Sequence, residues 1–151
     1  MLSPQAVAGA RVLDLYAGSG ALGIEALSRG AASCDFVERD ARNATLIQEN
    51  LDLAGVAERG RVVRADVARA EARLEGAYRL VLGDPPYDDE AAIDAIERVA
   101  ASPAVASDAT LVLELSSRRQ TPARCGPLAL RWQRRYGDTQ IAIYDRTEAR
   151  L

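Results

Sequence analysis

The chain has 151 residues, 48% of them apolar and 27% charged, enough for one domain over residues 1–151 with a proper core. It holds no histidine, and all 19 basic residues are arginine, which excludes Ser-His and Cys-His catalysis, most zinc sites and lysine Schiff-base chemistry. The net charge of −3 hides a lopsided distribution: residues 1–115 carry 11 arginines against 19 acids, whereas residues 116–151 carry 8 against 3.

A tail of that composition can present a phosphate-binding face, and Arg118, Arg119, Arg134 and Arg135 are its candidate phosphate contacts. The alternative is a solvated hairpin rich in arginine. No apolar run approaches the roughly 20 residues that span a bilayer, and no basic-then-apolar leader opens the chain. Cys34 and Cys125 form no disulfide framework. The expected setting is the cytoplasm, without membrane contact.

In chain order, residues 1–10 show no periodicity. Val12 to Tyr16 reads as a buried strand, followed by Gly18, Gly20 and Gly23 at G-x-G-x-x-G spacing and a helix over Ala21 to Arg29. Glycines let this turn fold back sharply and let a ligand lie on bare backbone, with the N–H groups of the helix's first turn facing it. Gly30 suits a left-handed helix end. Cys34 to Glu38 reads as a second strand, and Asp40 can cap a helix carrying Ala44, Ile47, Leu51 and Ala54 before Gly55. Arg61 to Ala65 is a third strand, with Asp66 after it and a weak helix over Val67 to Leu74. Tyr78 to Leu82 is a fourth strand leading into Gly83-Asp84-Pro85-Pro86-Tyr87, and Asp88 to Ala101 is a helix. Thr110 to Leu115 is a fifth strand, central by its continuous apolar run. A loop over Ser116 to Pro127 precedes two last strands, Leu128 to Tyr136 and Gln140 to Asp145, joined by Gly137-Asp138-Thr139.

Alternating strands and helices predict an α/β, doubly wound, mostly parallel seven-stranded sheet closed by an antiparallel C-terminal hairpin. Ligands in such sheets bind at the carboxyl ends of the strands. Asp14, Glu38, Asp66 and Asp84 all fall at or near those ends.

The glycine pattern alone fits a dinucleotide or S-adenosylmethionine. Asp14, within the strand, suits a ligand with an ammonium group and a sulfonium better than a pyrophosphate; it can also simply bond loop amides. Glu38, 20 residues after Gly18, can accept both hydroxyls of a ribose, or be a surface acid beside Arg39. Asp66 can take an adenine amino group with Val67 against the ring, or cap the following turn. Asp84-Pro85-Pro86-Tyr87 is the discriminating element. Two prolines stiffen the corner, so the Asp84 carboxylate and Pro85 carbonyl form two fixed acceptors beside Tyr87, the complement of a flat ring with an exocyclic amine. A structural turn into the next helix is the alternative. The acids Asp88, Asp89 and Glu90 read as a solvated helix start, and no metal is expected.

D-x-x-x-G-S-G followed by D-P-P-Y resembles the S-adenosylmethionine-dependent methyltransferases of nucleobase amines. The run Leu13 to Gly30, with its G-S-G-A-L-G-x-E-A-L-S-R-G segment, is similar to the ribosomal small-subunit methyltransferase D family, and the resemblance extends from about Arg11 to Arg146. It implies the class I, Rossmann-like methyltransferase fold and methylation of a guanine N2 amine in 16S ribosomal RNA, as naked RNA or assembled subunit, by a monomer. It also implies cofactor contacts at Asp14, Tyr16, Ala17, Gly18, Ser19, Gly20, Glu38, Arg39, Asp66 and Val67. The catalytic group is then Asp84, Pro85, Pro86 and Tyr87. Members carry a basic N-terminal arm ahead of the first strand, where this sequence has ten residues. The competing readings are a DNA adenine-N6 methyltransferase, which would call for an added recognition domain, and an NAD(P)-binding oxidoreductase. The latter leaves Asp14, the D-P-P-Y tetrad and the hairpin unexplained.

Overall fold

The computed structural model describes residues 4–86 and 89–146. Its elements are α1 (Pro4–Val7), β1 (Arg11–Leu15), α2 (Ala21–Ser28), β2 (Ser33–Val37), α3 (Ala41–Ala54), β3 (Gly60–Val63), β4 (Tyr78–Gly83), α4 (Glu90–Ala101), β5 (Val105–Ser116), β6 (Arg124–Cys125), β7 (Leu128–Tyr136) and β8 (Thr139–Asp145). The described strands form one sheet in the order β3-β2-β1-β4-β5-β8-β7-β6. Strands β1 to β5 run parallel, and β8 enters antiparallel between β5 and β7. The doubly wound sheet and the closing hairpin are as the sequence predicts.

The core has two layers, one on each face. Alternation along β1 sends Leu13 and Leu15 to the side covered by α4, where they meet Val81, Ile93, Ile96, Leu111, Leu113 and Tyr144. Val12 faces the other side with Phe36, Ile47, Leu51, Leu80 and Leu82, under α2 and α3. The predicted cap of α3 is present: the Asp40 carboxylate accepts from the N–H groups of Arg42 and Asn43 at 2.9 and 3.0 Å, and Gly55 ends the helix in the left-handed region.

Four expectations are corrected. The sheet has eight strands rather than seven, because Arg124 and Cys125 pair with Ala129 and Leu128, a strand too short to leave an alternating pattern. Cys125 is therefore a buried strand residue, not a loop residue. Val67 to Leu74 is not a helix but two 3-10 turns, Val67–Arg69 and Glu71–Arg73, joined at Ala70. Residues before β1 include a short helix whose Val7 docks into the core. Asp35, given no role by the sequence, is buried within β2. It is compensated by the Tyr78 hydroxyl at 2.5 Å and a forked contact from Arg61 at 3.1 and 3.3 Å.

Gly23 shows how closely α2 rests on the sheet. A Cβ there would stand 2.4 Å from a Phe36 ring carbon and 2.6 Å from the Cys34 sulfur. Gly23→Ala is expected to cost about 1–3 kcal/mol, the usual penalty of overpacking, read as a lowered urea midpoint. An unchanged midpoint would mean that α2 does not sit this near β2.

Candidate functional site: a cleft at the carboxyl edge

A cleft of about 600 Å³ opens at the carboxyl ends of the parallel strands, and its walls include Tyr16, Val37, Glu38, Arg39, Asp66, Val67, Asp84, Pro85 and Pro86. Tyr16, Glu38, Arg39, Asp66 and Val67 of the predicted cofactor residues therefore line one space with Asp84, Pro85 and Pro86 of the predicted corner. Tyr87 lies outside the described residues, as does Asp88. Asp89 and the small residues Ala91, Ala92 and Ala95 of α4 complete the wall; side chains this short keep the helix side of the cleft open.

The glycine turn is held from beneath by two carboxylates. Gly18 and Gly20 take positive φ angles of 57° and 83°, as the sharp turn demands. Tyr16 adopts φ 56° despite its side chain, a strained backbone at the mouth of the turn. Asp14 accepts the N–H of Gly23 at 3.0 Å, fastening the first turn of α2 to β1. Glu38 reaches across from the tip of β2, its Oε1 accepting from Gly18 N–H and its Oε2 from Asp40 N–H, both at 2.9 Å. A carboxylate has about four acceptor positions, so each Glu38 oxygen keeps one for another donor. Asn50 of α3 steadies the turn further by donating to the Ser19 carbonyl at 3.0 Å.

Several residues serve both readings offered by the sequence. Asp14 is buried and bonds an amide in the first turn of α2; it is absent from the cleft wall, sitting one layer below. Ala17, Gly18, Ser19 and Gly20 form the turn at the cleft's edge rather than its wall. Asp66 caps its 3-10 turn through the N–H of Ala68 at 3.3 Å and still lines the cleft, with Val67 beside it. Asp89, at the start of α4, accepts from Ala92 N–H at 3.2 Å, as a helix cap does. No group of three or more Cys, Asp or Glu residues is placed to hold a metal ion among the described residues.

Burial shapes the charge of this site. The Asp14 carboxyl is pushed up to about 8, first by its burial and then by the charges of Asp84 and Glu38, against the Gly23 N–H that favours its ionised form. The Asp84 carboxyl is pushed up to about 6, by desolvation and then by Glu114. Glu114 is a residue that sequence reading missed. It stands at the carboxyl tip of β5, and since Gly83 pairs with Leu113, Glu114 is the next residue across from Asp84. An acid in the otherwise apolar run Thr110 to Leu115 is the one signal that marks it.

The predicted phosphate contacts divide. Arg118, Arg134 and Arg135 are exposed, but Arg119 pairs with Glu90 at 3.0 Å. Arg134 and Arg135 follow each other along β7 and face opposite sides of the sheet. No described helix is long and apolar enough to cross a membrane.

With this geometry in view, comparison with known proteins places the chain. The family model described as Conserved hypothetical protein 95 matches residues 1–145. A putative rRNA methyltransferase, YlbH of Bacillus subtilis, is 35% identical over 139 residues, covering 90% of this chain and 76% of that protein. Ribosomal RNA small subunit methyltransferase D of Escherichia coli is 38% identical over 78 residues, 52% of this chain and 39% of that enzyme. A tRNA1(Val) (adenine(37)-N6)-methyltransferase of Erwinia tasmaniensis is 38% identical over 79 residues, 51% of this chain and 32% of that enzyme. Among solved structures, the putative methyltransferase yhhF from Escherichia coli superposes with a TM-score of 0.81 at 28% identity, covering 91% of this chain and 76% of that one. The sheet is that of the class I methyltransferases, and the chain belongs to the Conserved hypothetical protein 95 family.

Proposed function

We propose that this protein transfers a methyl group from S-adenosylmethionine to the exocyclic N2 amine of a guanine in small-subunit ribosomal RNA. The observation that carries the reading is the single cleft shared by the glycine-turn carboxylate Glu38 and the double-proline corner at Asp84. The similarity to YlbH and to the small-subunit methyltransferase D supports RNA as substrate class.

The residues present fit the donor. The open acceptor positions of Glu38 suit the two ribose hydroxyls, and Asp66 with Val67 suits the adenine edge and face. Arg39 stands beside them in the wall. Asp14 lies below the cleft wall and serves by holding the first turn of α2 in place through the Gly23 N–H. S-adenosylmethionine supplies an electrophilic methyl on a sulfonium.

Asp84 and the Pro85 carbonyl then accept the two amine hydrogens of a guanine turned out of its stack. This localises the nitrogen lone pair that conjugation would otherwise spread into the ring. The amine nitrogen takes the methyl carbon as the carbon–sulfur bond breaks, and the excess proton leaves toward Asp84. Pro86 stiffens the corner, and its own carbonyl accepts from Asp89 N–H at 3.3 Å, tying the corner to the start of α4. Alignment and fixed dipoles carry most of the acceleration. Tyr87 is the proposed stacking partner for the ring. An adenine-N6 amine would satisfy the same two acceptors, and the partial match to a tRNA adenine-N6 enzyme gives that second reading its support.

Because the donor pocket is built from Glu38 and the glycine turn, S-adenosylmethionine should raise the melting temperature and NAD should leave it unmoved; equal shifts would contradict the donor. With labelled donor and small-subunit RNA from cells lacking the activity, the labelled nucleoside should be N2-methylguanosine. Asp84→Ala should abolish the label while donor affinity stays within a few-fold. Labelled N6-methyladenosine would install the second reading, and a mutant that loses donor binding would move Asp84 to the cofactor side. Asp84 accepts amine hydrogens in its ionised form, so transfer should climb with pH through about 6. Glu114→Gln removes a charge that raises Asp84, so the climb should move to lower pH; an unmoved profile would separate the two residues.

A further inference from the structure

Strand β7 carries a second feature on the side of the sheet away from α4. The register shifts between Leu130 and Trp132, and from there Trp132 pairs with Ile143, Arg134 with Ile141 and Tyr136 with Thr139. These three residues share one face, while Gln133 and Arg135 share the other with Ala142 and Gln140. Ile143 in turn pairs with Val112, and Val112 packs with the core beneath α2 and α3. That core gathers residues of β1, β2 and β4, and the face is open at β7. Arg134 is exposed, Tyr136 is 46% exposed and Trp132 is partly so.

One row of residues joins this face to the cleft. Continuing the β4–β5 register by one residue sets Asp84 across from Glu114; Glu114 pairs with Ile141, and Ile141 with Arg134. Three strand spacings, roughly 14 Å, separate the ends of that row. Strand β7 runs parallel to β5, so Arg134 and Tyr136 lie toward the carboxyl edge that bears the cleft.

We propose that Trp132, Arg134 and Tyr136 form a stacking platform for unpaired nucleotides flanking the base that enters the cleft. The inference rests on the reading above that the substrate is RNA, and adds where and how the strand is held. Aromatic faces separated by a guanidinium are what a single strand needs, because every base has a face to stack and every nucleotide a phosphate. The Arg134 guanidinium already lies over the Tyr136 ring, 5.3 Å from its centroid, and it has no carboxylate partner among the described residues. Residues 116–151 carry the chain's basic excess. Glu114 is the acid on this path; it keeps phosphate off the corner and leaves it to Arg134.

Trp132 is the chain's one tryptophan, so its fluorescence reports on the platform without any methyl transfer. A short unpaired RNA oligonucleotide, end-labelled so that anisotropy measures binding, should quench Trp132 saturably. A duplex of the same sequence should quench it far less. Tyr136→Ala should weaken the oligonucleotide about five- to a hundredfold with no change in melting temperature, and Arg134→Glu should weaken it and flatten the salt dependence. An oligonucleotide that binds by anisotropy while Trp132 stays silent, or that binds the Tyr136→Ala protein as well as the wild type, would overturn the platform. So would a Trp132 signal that changes with protein concentration in the absence of RNA, which would assign the face to a second copy of the chain. Quenching without methylation would leave the platform standing and remove the enzymatic reading; methylation of ribosomal RNA with a silent Trp132 would do the reverse.

Discussion

The Glu38 carboxylate is the contact on which the rest of this site depends. It grips the N–H of Gly18 with one oxygen and that of Asp40 with the other, tying the glycine turn, the tip of β2 and the start of α3 into one unit. Hydrogen bonds to a charged acceptor of this kind are short and strong, and here they fix a backbone that would otherwise be the loosest part of the fold. Asp14 does the same from below through Gly23. A turn pinned at both ends is ready for a ligand before one arrives, so little ordering remains to be done on binding.

The carboxylates of this edge are also set against one another. Burial, and then the charges of Asp84 and Glu38, raise the cost of ionising Asp14, and burial and then Glu114 do so at Asp84. A site crowded with acids and short of bases is poorly suited to a pyrophosphate, and well suited to a ligand that brings positive charge and amine hydrogens with it. Arg39 is the arginine of the cleft wall, while Arg131, Arg134 and Arg135 stand on β7. Acidic side chains gather at the cleft and basic ones on β7, in two strips of one edge.

Much of this was legible from the sequence. Gly18, Gly20 and Glu38 stood at spacings that a phosphate- or ribose-type turn dictates, and the double proline marked Asp84 because few other sequences stiffen a strand end this way. Asp40 and Gly55 announced α3 through the caps that helix ends require. Other features were hidden for physical reasons. β6 is two residues long and has no periodicity to show. Glu114 is an acid in an apolar run, and only the pairing of β4 with β5 brings it beside Asp84. The two faces of β7 were obscured because strand alternation turns the consecutive Arg134 and Arg135 to opposite sides, so neighbours that look like one patch in sequence point apart. Asp35 was given no role because its partners, Tyr78 and Arg61, are distant in the chain and only the fold closes them around it.

The central claim is that a methyl donor on the glycine-turn side of the cleft faces the Asp84-Pro85 corner. A crystal structure with S-adenosylhomocysteine tests it most directly. The account predicts the ribose hydroxyls on Glu38 and the sulfur directed along the cleft toward Asp84, with room between them for one flat base. A ligand bound away from Glu38, or a sulfur facing the opposite wall with the corner closed off, would contradict it.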